Sequence, residues 1–314
     1  MSTDVVAVRP EVRPAPPRPP RRLPRSLQNL APLTPTQLLV QSISAIVAAL
    51  LVGFILNLTV LSHLQHFVGQ QQAGNILREE LLAGTAPVSE GDFNDVLLAN
   101  GAPVAILDIP TIGLHEVVVE GTSSGDLKNG AGHRRDTVLP GQVGMSYIMG
   151  RAAAYGGPFG RIQELAPGDR FSVFTGQGKQ TFTVIGVRYA GDSAPSPPRP
   201  GEARLVLESA RGPAFLPTGV VRVDAQRVGE GEDPGLRQTS YTTLPAQHKA
   251  MATDTTTAWA LVFALQFFVV AELAAVWTFR RIGAQKMWVV FAPVLLLAGL
   301  FVADQVTRFL PNLL

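Results

Sequence analysis

Cysteine is absent from all 314 residues of the chain. That excludes disulfides, thiolate metal sites and a thiol nucleophile together, although an exported domain can fold without bridges, so the compartment stays open. Charge is also scarce: Asp, Glu, Lys and Arg make up 16% of the chain against 46% hydrophobic residues. Soluble domains carry roughly 25% charge, and membrane-spanning helices account for the difference. The formal net charge is +2, and Arg9, Arg13, Arg18, Arg21, Arg22 and Arg25 crowd the first 36 residues. This is a topological signal rather than a nucleic-acid surface. His63, His66, His115, His133 and His248 lack metal-ligand spacing, and neither a P-loop nor a GxSxG turn is present. No metal, cofactor or nucleic-acid partner is expected.

Residues 1–36, with the run RPAPPRPPRRLPR, hold too few large apolar side chains to fold and read as a disordered cytoplasmic tail. An uncharged run over 37–62 is long enough to cross a bilayer as a first anchor. The arginines before it place the tail inside and the following chain outside. Residues 63–101 read as a helical stalk and linker, with Leu64, Phe67, Ile76, Leu77 and Leu81 at helical spacing as far as Ala83. From 102 to 228 the texture becomes short β-type runs between glycines and prolines, seven or so strands without long helical patterns. A mainly β fold, barrel or sandwich, is predicted there. Residues 229–257 are polar and read as a linker. Two more apolar runs, 258–279 and 287–306, are spanning candidates, and Arg280, Arg281 and Lys286 put their connection inside. The expected product is a multi-pass protein of the cytoplasmic membrane with its β domain outside.

The β domain resembles a sortase. PVAILDIPTIGLHEVVVEGT (103–122) is similar to the family's opening strands, and LKNGAGHRRDTVLPGQVGMSYIMGR (127–151) to the segment leading to its catalytic histidine. PFGRIQELAPGDRFSVFTGQGKQTFTV (158–184) and LVLESARGP (205–213) follow in the family's order. The resemblance implies a sortase-like β-barrel and a Gram-positive-type envelope. Sortases are cysteine transpeptidases, yet their three catalytic positions fall here on Arg151 for the histidine, Ala210 for the cysteine, and Thr218 or Gly219 for the arginine. Arginine cannot shuttle protons near neutral pH but can hold a carboxylate with its planar fork. The expectation is therefore a non-catalytic binding or scaffold subunit at the cell envelope, with a groove at Arg151, Ala210, Ser209 and His133 for an envelope protein or peptide. The plain alternative for Arg151 is a solvated residue at a strand end.

Strand alternation turns Ser209 away from Ala210, so it is expected to bond backbone rather than act as a nucleophile. His133 reads as a loop-stabilising residue. Glu272 and Asp304, in or near the last two spans, are candidate contacts to another helix or subunit, because a lone intramembrane carboxylate is costly. The competing readings are an unconventional transpeptidase or peptidase, and a structural component of a membrane complex.

Overall fold

The computed structural model describes residues 34–92, 94 and 96–314. The disordered tail expected for residues 1–36 therefore lies, as far as residue 33, outside the described residues. Helix α1 (Pro35–Leu56) continues through one wider π turn (Asn57–Leu61) into α2 (Ser62–Ala83). Gly84 stops α2 in the left-handed conformation, φ 69°, its N–H reaching the Glu80 and Leu81 carbonyls. Near the other end of the chain, α3 (Ala258–Ile282) and α4 (Ala284–Arg308) pack as a hairpin across Gly283. Ala264, Phe268, Ala271 and Ala275, spaced by three and four, are the buried stripe of α3. Three helical segments, Ile46–Ala83, Ala258–Ile282 and Lys286–Arg308, are long and apolar enough to cross a membrane. Their outward side chains, among them Trp259, Phe263, Val289 and Leu297, are exposed, as a lipid-facing surface requires.

The β region closes into an eight-stranded barrel. Its strands are β1 (Pro103–Ile109), β2 (Leu114–Glu120), β3 (Gly132–His133), β4 (Gly144–Met149), β5 (Arg170–Thr175), β6 (Gly178–Tyr189), β7 (Ala203–Arg211) and β8 (Gly219–Arg227). Around the barrel they run β1-β2-β3-β4-β7-β8-β6-β5, with β2·β3 and β4·β7 parallel and the remaining pairs antiparallel. The strands legible in the sequence are all present, and β3 is added. Two residues are too few to show a period, so only the pairing of Gly132 with Val119 and Met149 defines it. The interior is filled by Leu107, Ile109, Val118, Ile148, Phe171, Val173, Phe182, Leu205, Leu207 and Val223, with Phe159 and Ile162 closing one end. Each such side chain contributes about 1.5–3 kcal/mol.

The run Val117–Val118–Val119 lacks alternation because β2 is buried on both faces. Val118 enters the barrel core, while Val117 and Val119 meet Ala73 and Leu77 of α2. The α2 stalk is thus fastened along the barrel. Gln70 completes the joint, accepting from the Val117 N–H at 2.7 Å and donating to the Val117 and Asn129 carbonyls. Gly69 is needed at this approach, since a Cβ there would sit 2.8 Å from the Asn129 side-chain oxygen. Of the other members of the helical pattern, Leu81 is partly buried against this cluster, and Leu64, Phe67 and Ile76 face outward.

Residues 229–257, polar enough to read as a linker, form a strap tied to the barrel surface. Arg237 donates to the Thr137 and Arg135 carbonyls and pairs with Glu90, and Leu244 is buried. Further along, the His248 Nδ1 accepts the Thr122 N–H at 3.0 Å, while the Thr122 hydroxyl donates to the His248 carbonyl at 2.6 Å. Burial holds His248 below the ordinary imidazole range, against the nearby Asp126, Glu120 and Asp254; Arg135 adds to the depression. The unfolded or undocked chain therefore takes up the proton first, and this stabilisation is present above the ordinary value of 6.5 and lost as pH falls below it. The bond shows why, since a protonated Nδ1 cannot accept from Thr122. Lowering pH from 7.5 to 5.5 should reduce the amide protection factors across residues 241–252, taken against the intrinsic exchange rate at each pH, and His248→Gln should flatten that dependence.

Candidate functional site

The site is built where β4 ends beside β7. The parallel ladder carries on past Met149 through a Gly150 N–H bond to the Glu208 carbonyl. Gly150 packs so closely on Phe159 that a Cβ would meet its ring at 2.5 Å. The next residue, Arg151, turns inward and is 0% exposed. It is not the solvated strand-end residue that its sequence position allowed. Its Nη2 donates to the carbonyl and hydroxyl of Ser124, both at 2.8 Å, and its Nη1 to the backbone oxygen of Leu314 at 3.0 Å. The guanidinium lies 4.9 Å from the Tyr155 ring centre, with Nε unpartnered. Among the described residues no carboxylate side chain pairs with it. Burial pulls its pKa down to about 10, so it remains a cation at neutral pH.

Ala210 lies against the same feature. Its methyl group packs with Leu127, Met149, Leu313 and Leu314, flanked by Val220, Ala250 and Met251. Residues 309–314, which follow α4, thus occupy the surface that Ala210 and Arg151 face. The Ala152 N–H bonds the Leu313 carbonyl at 2.8 Å, and Asn312 donates to the Thr122 and Lys249 carbonyls and takes the Ala252 carbonyl through its own N–H. A backbone clamp and an apolar plug act together here, with Leu313 fully buried.

Ser209 points into the barrel wall, its hydroxyl bonding the Gly150 carbonyl at 2.8 Å. His133 is held by Glu120 at 2.8 Å and by the Val138 carbonyl at 2.9 Å, and shares no partner with Arg151 or Ala210. Thr218 and Gly219 lie at the β7–β8 turn, Thr218 bonding the Arg211 carbonyl. The neighbouring cation, Arg211, is stacked 4.2 Å from the Tyr189 ring centre. Of the positions singled out from the sequence, the fold brings Arg151 and Ala210 to one pocket, leaves Ser209 behind its wall, and places His133 and Thr218 apart.

The two acids of the spans differ. Asp304 forms an ion pair with Lys128 of the barrel and a second, at 3.5 Å, with Arg308. Beside it the Thr307 hydroxyl donates to the Asp304 carbonyl and therefore accepts from Tyr155 at 2.9 Å. Glu272 has no hydrogen bond or ion pair among the described residues. Sequence reasoning missed Ser124, Asn312, Leu313 and Leu314. The only trace of the last two is the short segment FLPNLL that follows the last span after Thr307 and Arg308.

Comparison with known proteins bears on this pocket. Residues 107–210, from β1 to the Ala210 position, match the sortase domain family. Over these residues the eight-stranded barrel is similar to a sortase domain. Over 85 residues the chain is 32% identical to Sortase D of Bacillus subtilis, a match covering 27% of this chain and 41% of that protein. The chain spans about two fifths of the length of this curated relative. Solved structures it resembles include a Clostridium perfringens Sortase D5 transpeptidase, at 20% identity over 52% of this chain and 99% of that one, TM-score 0.42. Another is Sortase E1 of Streptomyces coelicolor, with a tripeptide in its active site, at 21% identity over 42% and 92%, TM-score 0.37. In the sortase-like barrel described here, the pocket at the end of β4 and β7 carries a guanidinium and a methyl group.

Proposed function

We propose that the chain is a membrane-anchored, sortase-like protein without transpeptidase activity, a binding or scaffold subunit at the cell envelope. One observation carries this reading. At the position where the resemblance places the nucleophile, Ala210 offers no reactive atom and is covered by Leu313 and Leu314. Without a nucleophile the covalent route is closed, and Arg151, a permanent cation at neutral pH, cannot replace a general acid–base worth about 10² to 10⁴ in rate. In this reading the positive-inside pattern places the barrel outside the membrane, where an envelope protein or peptide is the partner.

The same pocket also supports a structural role. The 309–314 segment and the Lys128–Asp304 pair both bind the α3–α4 hairpin to the barrel, so the retired pocket serves as a fastening inside the protein. The test uses the full-length chain in detergent micelles, mixed with sorting-type peptides and cell-wall amine acceptors and followed by mass spectrometry. Unprocessed peptide is expected over many hours. Cleaved or ligated product that disappears in Ser209→Ala would overturn the non-catalytic reading.

A further inference from the structure

Beside the plugged pocket, on the outer face of the same strands, lies a second concavity that the sortase resemblance does not use. It has a volume of about 210 Å³. Strand register builds it: Glu208 on β7 stands opposite Arg222 on β8, and Arg222 stands opposite Arg188 on β6. Two arginines directly opposite each other repel, and the fold answers with one carboxylate for each. Asp224 holds Arg188 through Nε and Nη2, and the buried Glu208 pairs with Arg222 at 2.5 Å. A third guanidinium, Arg134, is gripped by Asp136 at 2.6 and 3.1 Å and stacked 4.0 Å from the Tyr147 ring centre.

Asp224 and Asp136 each orient a planar fork, and Glu208 holds Arg222 by charge, so the guanidinium groups stand prepared for an oxyanion. The strap then adds Lys249, whose ammonium lies 4.9 Å from the Tyr241 ring centre. No carboxylate lies within ion-pair distance of Lys249 among the described residues. Arg134, Arg188, Arg222 and Lys249 thus face Glu208, Asp224 and Asp136, which leaves one positive charge in excess. Tyr147 and Tyr241 also line the cavity, their rings stacked by Arg134 and Lys249.

The geometry points to a binding site for a phosphodiester. A diester brings one negative charge and two free oxygens for the guanidinium and ammonium groups, which Tyr147 and Tyr241 hold in place by stacking. Lys249 supplies the unmatched charge and, because it sits on the strap, a bound diester also holds the strap to the barrel. The site is independent of the sortase-type pocket and of whether the protein has catalytic activity.

The diester can be a soluble ester or a lipid headgroup, and two probes separate them. Full-length protein in maltoside detergent micelles, which carry no phosphate, is titrated with glycerophosphoglycerol by calorimetry, and protein in phosphatidylglycerol nanodiscs is assayed for protection of Lys249 from amine acylation. Saturable binding of the soluble ester, weakened at least tenfold by Lys249→Gln and by Tyr241→Ala and unchanged by Arg211→Gln, supports a site for soluble diesters. Protection in phosphatidylglycerol discs but not in maltoside micelles, without soluble binding, assigns the headgroup. Absence of both signals overturns the proposal. So does equal weakening by Lys249→Gln and Arg211→Gln, since that marks diffuse charge attraction instead of a site.

Discussion

Arg151→Met should free the segment that follows α4. The substitution keeps most of the side-chain volume but removes three hydrogen bonds, leaving the Ser124 carbonyl and hydroxyl and the Leu314 oxygen without their donor. Each buried group so stranded costs about 1–3 kcal/mol. Against that stands the relief of a desolvated cation with no carboxylate side chain beside it, and replacing buried charge by apolar volume is often neutral or favourable. The two effects fall in different places. The barrel core should hold its stability, while the contact with residues 311–314 loosens. The readout is amide exchange at Ala152, whose N–H is closed by the Leu313 carbonyl. A loss of about 2 kcal/mol in the local opening free energy corresponds to roughly 30-fold faster exchange. Arg151→Ala, which also opens a cavity, should add a global loss of about 2–5 kcal/mol. Unchanged exchange at Ala152 in Arg151→Met would show that the guanidinium fills space and fastens nothing.

The second large effect uses the missing cysteine. Because the chain has none, Ala210→Cys introduces a single thiol at the position the resemblance assigns to the nucleophile. Ala210 is only 8% exposed, beneath Leu313 and Leu314. An apolar, buried surrounding suppresses the thiolate, and reagent reaches the sulfur only when the covering segment opens. If opening costs about 2 to 3 kcal/mol, maleimide labelling should be roughly 30 to 150 times slower than for Thr218→Cys at the exposed turn. Adding Leu313→Asp, which puts a carboxylate where a leucine is fully buried, should remove most of that protection. Equal labelling of Ala210→Cys and Thr218→Cys would mean that the plug does not cover the pocket in solution. The comparison separates a closed pocket from an open groove without assuming any activity.

Several features of this protein are written locally and are legible in the chain. The apolar runs at 37–62, 258–279 and 287–306 coincide with helices because a bilayer-length hydrophobic stretch has few other solutions. Seven of the eight strands are readable from alternation and turn residues, and Ser209 faces away from Ala210 because side chains alternate along any strand. The absence of a thiol nucleophile needs only the absence of cysteine. Where reading by pattern fails, the contact in question is distant. The valine run of β2 shows two buried faces only once α2 is placed against it. Residues 229–257 look like a linker because their hold on the barrel comes from single side chains such as Arg237 and His248, which carry no period.

The sequence by itself determined three helices long and apolar enough to span a membrane, the barrel strands and the residue types at 151 and 210, since these depend on composition and short-range spacing. Only the tertiary structure decided that Arg151 is buried, that Asp304 meets Lys128, and that Leu313 and Leu314 close the pocket. Arg151 and Leu314 are 163 residues apart in the chain. No local preference links such positions: two leucines beyond a membrane helix read the same whether they meet solvent, lipid or a partner. Their place is fixed only when the α3–α4 hairpin and the barrel pack together and bring an apolar segment to the one surface where a methyl group and a buried guanidinium await it.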